Sequence, residues 1–159
     1  MTNVPTFMMN IPSSYDTAVR NNVWMEEYDD EDIIVNKPKA IREMWEVYSF
    51  LASQGFVYLL PTPIDCKLQD LVFVANNGIV LQHTPIYIGS NFKATNRIGE
   101  EVIGMRFFDS LGYKTIRSPF EFEGEAELKY LRDNIYIGGY GIRSDKRCLL
   151  YTSPSPRDS

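Results

Sequence analysis

Two segments of the chain follow the same order, and this repetition constrains the fold more than any other feature. In each, a stretch with helical periodicity ends at a glycine, and a short β-rich run then ends before a proline. The pattern predicts helices over 38–54 and 97–111 and strands over 56–60 and 113–117. The two glycines, at 55 and 112, lie 57 residues apart, which suits a repeated supersecondary unit. The sequence therefore favours α/β units repeated around a common core over one doubly wound sheet.

Local signals define the ends of these helices. Asn36 can cap the first helix, Pro38 suits its first turn, and Gly55 suits a left-handed stop. Gly112 is predicted to end the second helix in the same way. Further β-rich runs predict strands at 71–75, 79–81, 86–88 and 135–139.

Composition excludes several classes of protein. The 16 Lys and Arg against 21 Asp and Glu give a net charge of -5, which argues against a nucleic-acid partner. No apolar run approaches the ~20 residues that span a bilayer, and the N-terminus has no secretory signal pattern. With two cysteines there is no disulfide framework. We expect a cytoplasmic protein that binds neither nucleic acid nor membrane.

The last twelve residues, 148–159, differ in character from the rest. Their sequence, CLLYTSPSPRDS, ends in a Pro/Ser segment typical of a linker, and it resembles a translated transposon-end adapter from sequencing libraries. We therefore predict that 148–159 is a non-native tail. Residues 1–147 would then be the N-terminal part of a longer protein.

Polar residues beside the predicted strands are the candidates for chemistry. Asp70 precedes the run 71–75, and Asn76-Asn77-Gly78 would end it, for which a simple Asn-Gly turn is the plainer interpretation. Four glutamates occupy alternate positions at 121, 123, 125 and 127. Either they form a solvated strand face, or one of their carboxylates takes part in acid–base chemistry.

Other residues carry weaker signals. Arg143 follows a Gly-rich run and could grip a carboxylate or be a surface cation. Arg97 would begin a helix, where a cation is mildly unfavourable. His83 has no Cys or His neighbours, so we predict no metal site. Cys66 has no nearby histidine, so we interpret it as a bystander.

Four segments in order, LQDLVFVAN, R…GEE, FEGEAEL and GGYGIRSD, resemble the amidinotransferase and dimethylarginine dimethylaminohydrolase superfamily. The resemblance covers about 9–147. It implies a pentein-type α/β propeller, of five ββαβ-like units around a pseudo-fivefold axis, truncated here to roughly its first half. It also implies a guanidino-group hydrolase acting on arginine or an N-modified arginine. In that chemistry a cysteine thiolate attacks the guanidinium carbon and forms a covalent amidino intermediate.

The resemblance also assigns residues. Glu123 matches the catalytic glutamate of an FEGGD-like motif, and Asp70 with Phe73 match substrate-binding positions. Arginines that hold the substrate carboxylate or nearby polar groups match Arg97 and Arg143. The family's histidine and cysteine would follow Arg147, so we expect these 147 residues to be inactive alone and to need no cofactor.

Two departures from the family pattern affect the prediction. FEGEAE carries Glu125-Ala126-Glu127 where the common motif continues Gly-Asp, so the second acid is open. Asn76 stands where many members carry a guanidinium-binding aspartate. The members with asparagine at this place include arginine dihydrolases and succinylarginine dihydrolase, which release two ammonia equivalents from one guanidino group. The alternatives are an amidinotransferase and a non-catalytic pentein-fold binding protein. A homo-oligomer is left open.

Overall fold

The computed structural model describes residues 4–20 and 23–152 and has an α/β fold. The chain divides into two compact units, Met1–Val74 and Ala75–Ser159. Each unit places a helix between two parallel strands, so the repetition predicted from the sequence is present in both. The two units are described separately.

The first unit contains β1 (Thr6–Asn10), a 3-10 turn (Val23–Glu27), α1 (Lys37–Gln54) and β2 (Phe56–Leu60). Strands β1 and β2 pair in parallel, with α1 leading into β2. The predicted cap is confirmed, because the Asn36 side chain accepts a hydrogen bond of 3.0 Å from the Lys39 amide. Strand β2 is present as predicted, although only Leu60 of its five residues is buried.

The predicted left-handed stop at Gly55 is wrong. Its backbone is extended, with φ of -178°, a conformation that any residue adopts. The glycine is needed for space instead: a Cβ placed there would lie 2.1 Å from the carbonyl oxygen of Pro5. Gly112, by contrast, has φ of +84° and follows the second helix as predicted.

The second unit begins with a three-stranded sheet. Strand β3 (Gly78–Val80) pairs antiparallel with β4 (Ile86–Gly89), and β4 pairs in parallel with β5 (Lys114–Arg117). Helix α2 (Glu100–Ser110) connects β4 to β5. The order is therefore strand, strand, helix, strand.

A hairpin and a helix complete the second unit. Strands β6 (Leu128–Arg132) and β7 (Ile135–Gly138) pair antiparallel and precede α3 (Lys146–Thr152). The core consists of Ile79, Ile88, Phe122, Leu128 and Cys148.

Two predicted elements differ from the structure. Residues 71–75 form no strand; the chain makes a 3-10 turn at Val74–Asn76, and the strand starts only at Gly78. The second helix begins at Glu100 rather than at 97, because Arg97 ends a 3-10 turn and Gly99, with φ of +110°, redirects the backbone. Hydrophobicity alone could not separate these turns from the adjacent regular elements.

The start of the predicted tail packs within the second unit. Helix α3 extends to Thr152, and Cys148 is buried in the core. Residues 153–159 lie outside the described residues. That 148–159 is non-native stays a prediction.

No helix among the described residues is both long enough and apolar enough to cross a bilayer.

We expect Gly55→Ala to lower the free energy of unfolding by about 1–3 kcal/mol, because the new methyl group overpacks against Pro5. Gly141→Ala is the control, since nothing lies within 4 Å of a Cβ at that position. Its effect should stay within about 0.5 kcal/mol. Urea denaturation of both variants gives the comparison, and equal stabilities would contradict the steric role of Gly55.

Candidate functional site

A tight backbone contact in the second unit positions Glu123. The next residue, Gly124, has φ of +62° and starts a 3-10 turn, Gly124–Ala126. A Cβ at Gly124 would lie 2.6 Å from the Gly78 amide nitrogen and 2.7 Å from the Ala75 carbonyl oxygen. Only glycine allows this approach, which holds the Glu123 segment against the turn that carries Asn76.

Three nitrogen-bearing side chains surround one oxygen of the Glu123 carboxylate. Asn76 Nδ2 donates a hydrogen bond of 3.1 Å to Oε2, and Arg143 Nη1 lies 3.3 Å from the same atom. Arg97 Nη1 is 3.9 Å away, within ion-pair range. Glu123 is only 2% exposed, so this buried carboxylate depends on its cationic and amide neighbours.

Backbone contacts fix this arrangement. The Ser90 hydroxyl donates to the carbonyl oxygen of Asn76, and the Glu123 amide donates to Ser144 Oγ at 3.3 Å. Both serines are buried. The amide and the carboxylate are thus held from separate parts of the second unit.

The alternating glutamates are not equivalent. Glu123 is buried, Glu127 is half-buried, and Glu121 and Glu125 are exposed. Glu125 pairs with Lys129 at 3.4 Å on the surface. The solvated-face interpretation therefore fits Glu121 and Glu125, whereas Glu123 is buried among amide and cationic neighbours.

Arg97 and Arg143 differ in burial and in their ion-pair partners. Arg97 is 6% exposed and makes a bidentate pair with Glu100, with Nε–Oε1 at 3.1 Å and Nη2–Oε2 at 2.7 Å. Its guanidinium lies 4.5 Å from the centre of the Phe92 ring. The Arg143 side chain is 63% exposed and lies 4.0 Å from Glu127.

Sequence reasoning missed two buried acids at the start of α2. Glu100 is fully buried against Arg97, and Glu101 accepts from the Gly99 amide at 2.8 Å and pairs with Arg117 at 3.0 Å. The signal was available: two adjacent acids in a first helical turn suit the positive end of the helix dipole. Their burial depends on packing that the sequence does not display.

Asp70 and Phe73 belong to the first unit. Asp70 is buried, and its carbonyl oxygen accepts from the Phe73 amide at 2.9 Å. The Phe73 ring is half-exposed and meets Tyr15 edge-on, with the ring centres 5.8 Å apart. It also lines an apolar cavity of about 360 Å³ with Met8, Met9 and Met44 among its walls.

The remaining candidates are the histidine and the two cysteines. His83 is exposed, with Nε2 3.3 Å from the Tyr130 hydroxyl. No group of three or more His, Cys, Asp or Glu within 4–20 and 23–152 could hold a metal ion. Cys66 is half-buried in the first unit. Burial raises the pKa of the Cys148 thiol to about 11, and Asp145 and Glu127 add to the effect, so its thiolate is scarce near neutral pH.

Comparisons with known proteins show which sequences and folds this chain is similar to. No family model matches the chain. N(G),N(G)-dimethylarginine dimethylaminohydrolase of Mycobacterium tuberculosis is 26% identical over 142 residues, covering 89% of this chain and 44% of that protein. The chain thus spans less than half of this relative.

Solved structures agree. AgrE, solved as a cysteine-to-alanine variant with L-arginine, is 29% identical with a TM-score of 0.80, covering 92% of this chain and 21% of that one. The N-terminal domain of ArgZ, an arginine dihydrolase from the ornithine–ammonia cycle in cyanobacteria, was solved as a cysteine-to-serine variant bound to substrate. It is 26% identical with a TM-score of 0.79, covering 91% and 52% of the two chains.

The fold and sequence of this chain are therefore similar to those of an arginine dihydrolase and of a dimethylarginine dimethylaminohydrolase. The predicted resemblance to the amidinotransferase and dimethylarginine dimethylaminohydrolase superfamily is confirmed.

We expect Cys148 to react with iodoacetamide at pH 8 at least about tenfold more slowly than Cys66 in the folded chain. A raised pKa leaves a smaller thiolate fraction, and the buried sulfur is also shielded. Peptide mapping by mass spectrometry gives both rates, with labelling in denaturant as the control, where the rates should converge. Faster labelling of Cys148 would contradict its assignment as an inert core residue.

Proposed function

We propose that this chain is the N-terminal part of an amidinohydrolase that acts on arginine or an N-modified arginine. The observation that carries the proposal is the buried Glu123 carboxylate with its amide and arginine neighbours. A buried carboxylate suits a planar cation with several N–H donors, because each N–H can donate a charge-assisted hydrogen bond. The relatives solved with L-arginine or with substrate support the same ligand class.

In the proposed reaction a cysteine thiolate adds to the guanidinium carbon, forming a C–S bond. The C–N bond to the leaving amine then breaks, and the amine departs with a proton. Water then adds to the amidino carbon and forms a C–O bond, and the C–S bond breaks to release a ureido product. One proton of the water ends on the sulfur, which regenerates the thiol, and the other on a nitrogen of the product. Glu123 would hold the guanidinium and accept or orient protons during these steps.

The remaining site residues take supporting roles in the proposal. Asp70 and Phe73 would bind substrate, and Asn76 would contact the guanidino group or the product formed from it. Arg97 and Arg143 would interact with the substrate carboxylate or adjacent polar groups. Charge-assisted contacts of this kind orient a guanidino acid at both ends.

The nucleophile would lie outside this chain. The buried Cys148, with its raised pKa, is unsuited to attack, and Cys66 has no histidine near it in the sequence. Cysteine substitutions were made in the substrate-bound forms of both relatives, which supports a separate cysteine in the complete protein. The complete fold would be a pentein-type propeller, to which the strand–strand–helix–strand order of the second unit corresponds. Ammonia release from arginine by the purified 159-residue chain would contradict the placement of the nucleophile outside this chain.

The alternatives are an amidinotransferase, with an amine acceptor instead of water, and a non-catalytic pentein-fold binding protein. The arginine dihydrolase relative favours hydrolysis. The buried carboxylate is consistent with either enzyme.

We expect the 159-residue chain to bind arginine through Glu123, measured as saturable chemical-shift changes of the Asn76 side-chain amide in ¹⁵N-labelled protein. Citrulline, which lacks the cation, should produce much smaller changes. Glu123→Gln should weaken arginine binding at least about tenfold, because a charge-assisted contact is lost.

Glu125→Gln provides the matched control, since it removes one carboxylate from the same segment at an exposed position. It should leave arginine binding unchanged. Equal loss in the two variants, or equal binding of citrulline and arginine, would argue against a guanidinium site at Glu123.

In the complete protein we expect Asn76→Asp to lower the ammonia released per arginine from about two equivalents toward one. The amide can pair with a neutral ureido group, whereas an aspartate 3.1 Å from Glu123 would add negative charge and favour a cation. Ammonia and ornithine are quantified after complete turnover. Asn134→Asp, in the exposed turn between β6 and β7, is the control, and unchanged stoichiometry in Asn76→Asp would contradict the role of the amide.

A further inference from the structure

The Arg143 side chain supplies a guanidinium to the carboxylate that the proposed function assigns to the guanidinium of the substrate. Arg143 Nη1 lies 3.3 Å from Glu123 Oε2. We propose that Arg143 occupies the guanidinium position and must be displaced by the ligand, which makes it a specificity-determining residue for guanidino acids. This inference rests on the proposed function.

The contact between Arg143 and Glu123 is easier to break than the contact between Arg97 and Glu100. Arg143 is 63% exposed and touches Glu123 through one nitrogen, with Glu127 at 4.0 Å. Arg97 near the same carboxylate is buried and bidentate on Glu100. The mostly exposed guanidinium of Arg143 regains water when it leaves the carboxylate, whereas breaking the buried Arg97–Glu100 pair would leave two charges with neither water nor a partner. The ligand therefore competes with Arg143 and leaves Arg97 in place.

Only the side chain of Arg143 needs to move. The backbone on both sides is anchored, because the Ser144 hydroxyl accepts from the Glu123 amide and the Asp145 amide donates to the Glu121 carbonyl oxygen at 2.9 Å. The Gly141 amide also donates to the Ser144 carbonyl oxygen at 3.0 Å. The guanidinium can swing on its flexible stem while the turn remains fixed.

Charge balance explains how displacement produces selectivity. Glu100, Arg97, Glu123 and Arg143 together carry two negative and two positive charges. A ligand guanidinium restores the balance at Glu123 but leaves the displaced arginine facing Glu127 and solvent. A carboxylate on the same ligand provides a new partner for that arginine. Guanidino acids therefore gain an advantage over simple guanidinium ions that direct binding to Glu123 alone would not give.

The test compares methylguanidinium, which has no carboxylate, with arginine in ¹⁵N chemical-shift titrations of the 159-residue chain. Arg143→Ala should bind methylguanidinium about two- to fivefold more tightly than wild type, because the competing cation is gone. The preference for arginine over methylguanidinium should fall at the same time. Arg143→Lys, which keeps the charge, should restore wild-type methylguanidinium affinity to within about twofold.

Arg147→Ala is the matched control. It removes one exposed arginine from a nearby position, where the guanidinium pairs with Asp145 at 2.6 Å. It should leave both affinities unchanged. Tighter methylguanidinium binding in both variants would show a general charge effect and overturn the inference.

The remaining outcomes separate the two proposals. Methylguanidinium binding that is unchanged or weaker in Arg143→Ala would overturn the displacement inference. If Glu123→Gln still loses the arginine binding seen in the wild type, the guanidinium site itself stands. No methylguanidinium or arginine binding by either wild type or Arg143→Ala would overturn both. A parallel loss of both ligands in Arg143→Ala, with their ratio unmoved, would identify a purely structural role for the arginine and also overturn the inference.

Discussion

The buried carboxylate of Glu123 sets the requirements that its surroundings meet. Removing a carboxylate from water is costly unless charges and hydrogen bonds replace the solvent. Arg97 supplies a cation at 3.9 Å but is itself buried, so it needs Glu100 in turn. Asn76 adds a neutral donor, and Arg143 adds a cation from the surface side. One buried charge thus determines the identity of several residues from distant parts of the second unit.

Local patterns were sufficient to predict both long helices and the strand that follows each of them. The Asn36 cap of α1 and the strands after both helices follow from local rules and are present. The strand predicted over 71–75 is wrong because a short apolar run has the same pattern in a strand and in a packed turn. The prediction at Gly55 was wrong for a different reason: glycine is required there by the carbonyl group of Pro5, fifty residues earlier, and not by its own backbone angles.

Three of the residues singled out in the sequence, Asn76, Arg97 and Arg143, lie around Glu123, but their arrangement could not be predicted from the sequence. Alternating glutamates do not reveal that Glu123 alone is fully buried, since that depends on the close approach at Gly124. Nor does the sequence distinguish Arg97, locked onto Glu100, from the exposed Arg143. The family resemblance supplied the positions, and the long-range packing supplied their different environments.

The hydrogen bond between Asn76 and Glu123 joins residues 47 apart in sequence, and the serine beneath Glu123 follows it by another 21. Contacts of such separation require closure of long loops, with an entropy loss that local helix formation avoids. The helices of the second unit can thus form before the carboxylate has its partners. During synthesis, the complete polar cluster cannot exist until the chain through Ser144 has left the ribosome, so the site is among the last parts of this unit to acquire its native surroundings.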